Sequence, residues 1–589
     1  MQLGNQYRLA DGQLADRISP FLPLVLSPYA LAKVRWQGDH VKRASLLSVD
    51  DALTLTKEFG RAQQLQLLVV GTAWALGALQ TLAAVVFSTL SPPQPECVKG
   101  DDEVCTKALA AGQLCSLPRE AWHWPSTGGS LVAEFDLVCS RSWVLYLQSS
   151  AFFIAVLAGC VLWQAGSERY GALLCGLSSL LASTAPSLWM YVAFRCASGL
   201  GVGGMGVAAY ALAADLAGPS WRSFTGLLIN CFFSVGCCLA TLLAWWVPGW
   251  RSLAFIGGLA CLAYTGSWSL IIESPLWLLL KARKGEATAA LAAVALANGC
   301  RPPEHPLADP TALLGNTQRG LRDVLASSRL RRRLVLLAAA WFAAGAGYFG
   351  LMLLADGLSG GGGSSSGGGA AGTGGSTAGD DSVYINLLSG FAYEVPGIAA
   401  AGLAAERAGR KATGVAAFLQ AGVCLVVSAV VGGTARRALV VAARFGLAAA
   451  YATLFLHTAE LFPAVVREQG LGASNAFGRA GAALTPLFAF LQHQLRRSFV
   501  PLLVLGCLCF GAAVLSLGIP ETLNEQYPDT IQDLNIQEQM KRKKSWRLAL
   551  AGWSVPGTGA GAALRPSSSS ASLPQRTASV ASQLEARNA

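Results

Sequence analysis

Twelve stretches of predominantly apolar residues recur along this chain, near 65–88, 143–163, 172–191, 193–214, 224–247, 252–272, 334–355, 384–404, 413–432, 438–458, 471–493 and 499–519. Each approaches the ~20 residues that a helix needs to cross the ~30 Å hydrocarbon core of a bilayer. Within hydrocarbon, a lone segment can satisfy its backbone N–H and C=O groups only by being helical. The expected fold is therefore an all-α membrane protein with twelve transmembrane helices. A polar segment, 281–333, divides them six and six. Composition agrees: 53% of residues are hydrophobic and 13% charged, against about 25% charged in soluble domains.

The two groups of six repeat one another. Glu168-Arg169-Tyr170-Gly171 follows the second span, and Glu406-Arg407-Ala408-Gly409-Arg410-Lys411 follows the eighth. Charged clusters between long apolar runs mark loops at the membrane surface, in corresponding places of two halves. Further charges recur at matching stations. Arg195 and Gly199 open the fourth span, Asp215 closes it, Arg222 follows, and Glu273-Ser274-Pro275 ends the sixth. In the second half Arg444 and Gly446 open the tenth span, Glu460 closes it, Arg467 follows, and Pro520-Glu521-Thr522 ends the twelfth. Acids and bases at span ends can pair in one state of a rocking two-half protein and separate in the other, forming a latch. The alternative is a set of static helix-end partners.

Basic loops stay on the cytoplasmic side. Segment 281–333 holds ten Lys/Arg and four acids, whereas loop 91–142 holds seven acids and four basic residues. Both termini are thus expected in the cytoplasm, although Arg436-Arg437 and Arg496-Arg497 fall in short outside loops against the rule. The organisation read from this is a cytoplasmic segment 1–64, a first half 65–272 with outside loop 91–142, a central cytoplasmic loop 273–333, a second half 334–519 with an outside Gly/Ser-rich insertion 357–379, and a cytoplasmic tail 520–589 read as largely disordered. The stretch Phe21–Ala32 contains Pro23 and Pro28 and is too short to span, so no cleavable signal is expected and the first span serves as the start signal.

Cys97, Cys105, Cys115 and Cys139 share the first outside loop and are read as two disulfides, in any of three connectivities. Their spacing lacks the close pairs of zinc sites, so no metal is expected. Gly201-Val202-Gly203-Gly204-Met205-Gly206 matches a dinucleotide pattern but lies inside an apolar span with no strand before it, which makes it helix packing. No catalytic constellation assembles, so an enzyme and a bound cofactor are not expected. The net charge of +11 needs no nucleic acid: the excess sits in cytoplasmic loops and the tail, including Lys541-Arg542-Lys543-Lys544, where anionic inner-leaflet lipid is the expected partner. Ser567–Ser570 and neighbouring Ser/Thr mark the tail as a candidate for phosphorylation.

Val49-Asp50-Asp51 with Glu58-Phe59-Gly60-Arg61, Glu134-Phe135-Asp136-Leu137-Val138-Cys139, Glu273-Ser274-Pro275-Leu276-Trp277-Leu278, Thr458-Ala459-Glu460-Leu461-Phe462-Pro463 and Pro520-Glu521-Thr522-Leu523 together resemble the organic ion transporters of solute carrier family 22, within the major facilitator superfamily. The resemblance covers roughly 49–535 and implies alternating access with substrate near the midplane between the halves. The sequence departs from the family at Gln164, Glu168 and Ala172-Leu173 in the first loop motif, at Leu276, in the insertion, and in having no Asn-x-Ser/Thr acceptor in the outside loop. These departures motivate the competing expectation of a receptor-like protein that keeps the fold without transporting.

Arg479, about a third of the way into span eleven, costs about 2.5–3.5 kcal/mol on insertion scales and marks a functional pathway by default. Arg479-Ala480-Gly481 with Pro486 resembles the anion-transporting branch, in which an Arg here is thought to attract substrate; snorkelling or pairing with Glu394 are the alternatives. The Lys of that branch in span eight has no counterpart around Glu394-Val395-Pro396. Arg444, near a span start, reads as structural. Tyr348, Phe349, Phe232, Phe233, Tyr393 and Tyr451 are candidate faces for a planar organic ion, with Tyr348 and Tyr451 at places resembling the family's pocket. The expected activity is transport of small organic ions, anions by preference, across the plasma membrane; exchange against an intracellular anion suits the resemblance.

Overall fold

Pro186 and Ser187 show how local chemistry sets the helix boundaries. The apolar pattern continues through 172–214, but proline cannot continue a helix, and Ser187 caps the next one by accepting from the Met190 N–H at 3.4 Å. The third helix therefore ends at Ser183 and the fourth starts at Leu188, not at 191 and 193. The computed structural model describes residues 47–85, 95–98, 103–110, 113–125, 129–162, 168–247, 249–303, 305–307, 320–354, 378–495 and 499–525, with a few beyond. The N-terminal 1–46, nearly all of the Gly/Ser insertion, Arg496-Arg497, the basic tail and the Glu168 side chain lie outside the described residues. The chain divides into two units, one ending at Ile531 and one starting at Gln532; the helical bundle belongs to the first.

In the described residues the apolar runs form twelve long helices: α1 (Arg61–Val85), α2 (Trp143–Leu162), α3 (Glu168–Ser183), α4 (Leu188–Leu216), α5 (Arg222–Trp246), α6 (Trp250–Thr265), α7 (Ser328–Leu353), α8 (Ala378–Ala408), α9 (Arg410–Val430), α10 (Gly433–Leu461), α11 (Arg467–Leu495) and α12 (Phe499–Ser516). Ten described helical segments are long and apolar enough to cross a membrane on their own. The other two are α3, with 16 residues, and α11, which carries Arg467, Glu468 and Arg479; both pack inside the same bundle, α3 on α4 and α6, α11 on α7 and α2. The protein is a multi-pass membrane protein. Several helices outrun their apolar runs: α7 starts at Ser328 and α10 at Gly433, so Arg329, Arg331–Arg333, Arg436 and Arg437 are helical.

Within the halves, α4 packs on α2 and α3, and α9 on α10 and α12. Glycines permit the closest approaches: a Cβ at Gly203 of α4 would collide with the Val156 carbonyl of α2, and one at Gly345 of α7 with the Gly478 carbonyl of α11, the small-residue contact that drives helix association in lipid. The halves meet chiefly through α2 against α11 and α5 against α8. That leaves α1, α4, α7 and α10 to meet around the centre, where Trp74, Tyr210, Trp341 and Phe455 pack ring to ring.

One end of the bundle carries a small disulfide-bonded cap. Of the three possible connectivities the structure holds Cys97–Cys105 and Cys115–Cys139, beside a two-stranded antiparallel ladder, Glu96–Cys97 with Trp122–His123. Glu134 anchors the cap to α6 by pairing with Arg251 and accepting from the Trp250 indole N–H at 3.0 Å. At the opposite end the polar segment is itself structured. A helix, Val49–Leu55, capped by Ser48, buries Ala52 and Leu53 against Leu278, Leu279 and Leu291 of the helices Pro275–Leu280 and Lys284–Ala297.

Candidate substrate site and charged gates

The centre of the bundle contains charge where the surroundings are apolar. Glu394 of α8 is fully buried, and Arg444 of α10 is 5% exposed. Arg444 lies near no helix start: α10 begins eleven residues earlier, which carries the guanidinium to the middle of the bundle, where Nη2 pairs with Glu394 Oε1 at 3.4 Å. The expected position of Arg444 near a span start is thus corrected by the helix's true length. Glu394 Oε2 accepts from Ser234 Oγ of α5 at 2.7 Å and from the Tyr348 hydroxyl of α7 at 2.8 Å. Arg444 also lies over the Phe391 ring at 4.3 Å. Glu394 is therefore taken by Arg444, and the alternative of pairing with Arg479 is not realised.

Arg479 of α11 has no carboxylate partner among the described residues. Its guanidinium stands 5.5 Å from the centre of the Phe349 ring, near Cys160 and Tyr451, and its buried Nε has no hydrogen-bond acceptor. One turn earlier on the same helix, Asn475 is 1% exposed; its Oδ1 accepts from Cys160 Sγ at 3.5 Å while its Nδ2 has no partner. The Tyr451 hydroxyl is likewise buried and unpartnered. Buried donors left without acceptors cost free energy, and an oxygen-rich acceptor would satisfy all three. On the charged-end side of Cys160 a cavity of about 160 Å³ extends between α2, α4 and α11, with Gly320 and Leu321 also in its lining.

The structure joins Tyr348, Phe349, Tyr451 and Phe233 in one aromatic cluster: Tyr348 lies 5.6 Å from Tyr451, 5.2 Å from Phe349 and 6.2 Å from Phe233, centre to centre. Tyr393 is not among them. It is 55% exposed and faces outward from α8, because Glu394, the next residue round the helix, occupies the inward face. Sequence reasoning missed Trp74, Trp341 and Phe455, whose rings join the same cluster through Phe233 and Tyr451, and Tyr210, which packs on Trp74 and Phe455.

At the charged end the latch residues form two unequal clusters. In the second half Arg410 Nε lies 3.1 Å from Glu460, with side chains only 6% and 3% exposed; Glu406 adds a second acid at 3.0 Å, and Thr522 donates to Glu460. Glu521 accepts from the backbone N–H groups of Arg410, Lys411, Thr522 and Leu523. Burial alone would raise its pKa, but these four donors outweigh it and hold the carboxyl below its ordinary value. In the first half Ala172 stands where Arg410 stands in the second. Asp215 accordingly takes Ser274 Oγ at 2.8 Å and reaches across to Arg467 of the other half at 3.8 Å. Arg169 faces Glu273 at 3.7 Å, Arg222 pairs with Asp50 at 2.7 Å, and Arg407 is exposed, with no ion pair among the described residues. Arg410 Nη2 also crosses between halves, donating to Ser223 Oγ at 2.9 Å.

Contacts bridge the halves at both ends of their interface. The charged end has Asp215–Arg467 and Arg410–Ser223. At the disulfide end Tyr146 of α2 meets Phe490 of α11 at 5.5 Å, and Trp245 of α5 stacks on Tyr384 of α8 at 6.4 Å.

Two pseudo-equivalent six-helix halves packed around a charged, aromatic-rich centre define the class of the molecule: a small-molecule transporter of the major facilitator fold. The model of the sugar (and other) transporter family matches residues 147–530. Curated relatives include an organic cation transporter protein of Drosophila melanogaster, 30% identical over 69% of this chain and 74% of its own. They also include organic cation/carnitine transporter 4 of Arabidopsis thaliana, 28% identical over 83% and 91%, and organic anion transporter 3 of Sus scrofa, 28% identical over 69% and 74%. Among solved structures, a double-tryptophan mutant of XylE superposes with a TM-score of 0.52 over 78% of this chain and 97% of that one at 14% identity, a likeness of fold. The chain belongs to the sugar (and other) transporter family and, within it, is a divergent member of solute carrier family 22. Members of this family are transporters, not enzymes.

Proposed function

We propose that the protein carries small organic anions across the plasma membrane by alternating access, with the disulfide-bonded cap outside and both termini in the cytoplasm. The observation that carries the reading is Arg479: a cation at the centre with no carboxylate partner among the described residues, flanked by the unpartnered donors Asn475 Nδ2 and Tyr451 OH. Glu394, the one acid of this centre among the described residues, is already paired with Arg444, so the local balance of described charges is positive. Tyr348, Phe349, Tyr451 and Phe233 supply faces for an aromatic body. Similar proteins carry names of both cation and anion transporters, so charge preference rests on the site.

Thermal stabilisation of the purified protein by a matched pair tests this: naphthalene-2-sulfonate against a naphthyl trimethylammonium, which share a ring system and differ in charge. The sulfonate should stabilise the wild type and not Arg479→Ala. Stabilisation by the cation alone would overturn the anion assignment. A receptor-like role is favoured by one feature, Ala172, whose absence of charge leaves Asp215 committed to a bond across the halves. A receptor would capture ligand through the outside cap and be indifferent to Arg479→Ala.

A further inference from the structure

Ser234 lies in the first half and Glu394 in the second, and the hydrogen bond between them spans the interface along which the halves must rock. Separation of α5 from α8 removes that bond and opens a fully buried acid to water from whichever side is open. The ion pair beneath it is incomplete. Glu394 Oε1 and the Nε and Nη2 of Arg444, 5% exposed, make no hydrogen bond of good geometry, so the two meet as a loose pair at 3.4 Å. The titratable and charged groups facing Glu394 are Cys237 and Cys238 from α5, Tyr348 from α7 and Arg444 from α10. Among the described residues these include one cation and no second carboxylate.

We propose that Glu394 is the proton-coupling carboxylate of this transporter, linking uptake of one proton to binding of one organic anion. The proposal rests on the anion reading above. From the outward-open state a proton from outside water adds to Glu394 Oε1. The acid becomes neutral, and Arg444 loses its counter-ion. The substrate anion then replaces the carboxylate as the partner of the freed guanidinium, so that Arg444 and Arg479 flank the anion through the Tyr348–Tyr451 pair. After the halves rock, the anion leaves to the cytoplasm, Glu394 releases the proton to the same side, and the Glu394–Arg444 pair reforms. Proton and anion binding are linked because each removes the obstacle to the other: the proton frees the cation, and the anion removes the benefit of ionising the acid.

The test uses the full chain in proteoliposomes loaded with the pH dye pyranine, with labelled naphthalene-2-sulfonate outside. A sulfonate stays ionised throughout, so any pH response belongs to the protein. Lowering the outside from about pH 7.5 to about pH 5.5 should raise the initial uptake rate severalfold and acidify the lumen only when sulfonate is present. Glu394→Gln mimics the protonated state and should remove both the pH slope and the acidification, whatever rate it retains; Glu394→Asp should restore the slope. Calorimetry on the wild type in buffers of differing ionisation enthalpy gives the same answer without a variant: one proton should be taken up per sulfonate bound. Sulfonate uptake that is flat with pH, without acidification or proton uptake on binding, overturns the coupling and leaves anion transport standing, as does uptake stimulated only by an internal anion. Neither uptake nor binding of sulfonate overturns the anion reading and the coupling with it.

Discussion

Glu460→Ala isolates the strongest electrostatic commitment at the charged end. Arg410 and Glu460 are nearly buried, and Arg410 Nε lies 3.1 and 3.2 Å from the two carboxylate oxygens. Breaking a buried pair by removing one partner costs about 3–5 kcal/mol, because the other charge is left in a medium that solvates it poorly. Arg410 would retain the Ala405 carbonyl, Ser223 Oγ and Glu406, which places the expected loss at the lower end, about 3 kcal/mol. Glu406 touches the same guanidinium at 3.0 Å but is 53% exposed, so Glu406→Ala should cost about 0–1 kcal/mol. Removing both buried charges together, as Arg410→Met with Glu460→Leu, should cost less than the sum of the two single changes. The assay is denaturant unfolding of the detergent-purified protein followed by tryptophan fluorescence. A Glu460→Ala loss within about 0.5 kcal/mol of the Glu406→Ala loss would refute the reasoning, since burial would then not separate two acids on one arginine.

Glu521 predicts a pH signature. Its folded-state pKa lies below the ordinary 4.5, so its stabilisation is complete above that value and is lost as pH falls through the lower folded value; Glu521→Gln should be less stable than wild type at neutral pH, with the gap closing on acidification below about pH 4.5. At the centre, Tyr451→Phe should raise KM for an anionic substrate by about tenfold with kcat unchanged, the loss of one hydrogen bond to a charged group, whereas Tyr393→Ala should leave uptake kinetics unaltered. Replacing Cys115 and Cys139 by serine opens a loop whose closure is worth about 3 kcal/mol and should reduce the protein reaching the cell surface, measured by surface biotinylation.

The twelve helices could be read because hydrocarbon imposes length and composition on each span, and the Arg410–Glu460 cluster because charges beside apolar runs stand out. The Glu394–Arg444 pair was obscured by where the apolar run of span ten begins; α10 extends a turn and more beyond it through Arg436 and Arg437. Tyr393 and Tyr451 look alike in sequence, since a lipid face and a substrate cavity both accept aromatics. Only the rotation of α8 that points Glu394 inward turns Tyr393 out. Trp74 and Tyr210 lay beyond sequence reasoning for the same reason. The Ala172 departure was visible, but its consequence, Asp215 reaching Arg467 in the other half, depends on three-dimensional pairing that spacing does not reveal.

Initial-rate uptake of labelled organic anions and cations into proteoliposomes, wild type beside Arg479→Ala, tests the central claim most directly. Saturable anion uptake in the wild type, lost in Arg479→Ala while the variant remains folded, is the predicted result. Saturable uptake of cations and not anions, or anion uptake indifferent to Arg479→Ala, would contradict it.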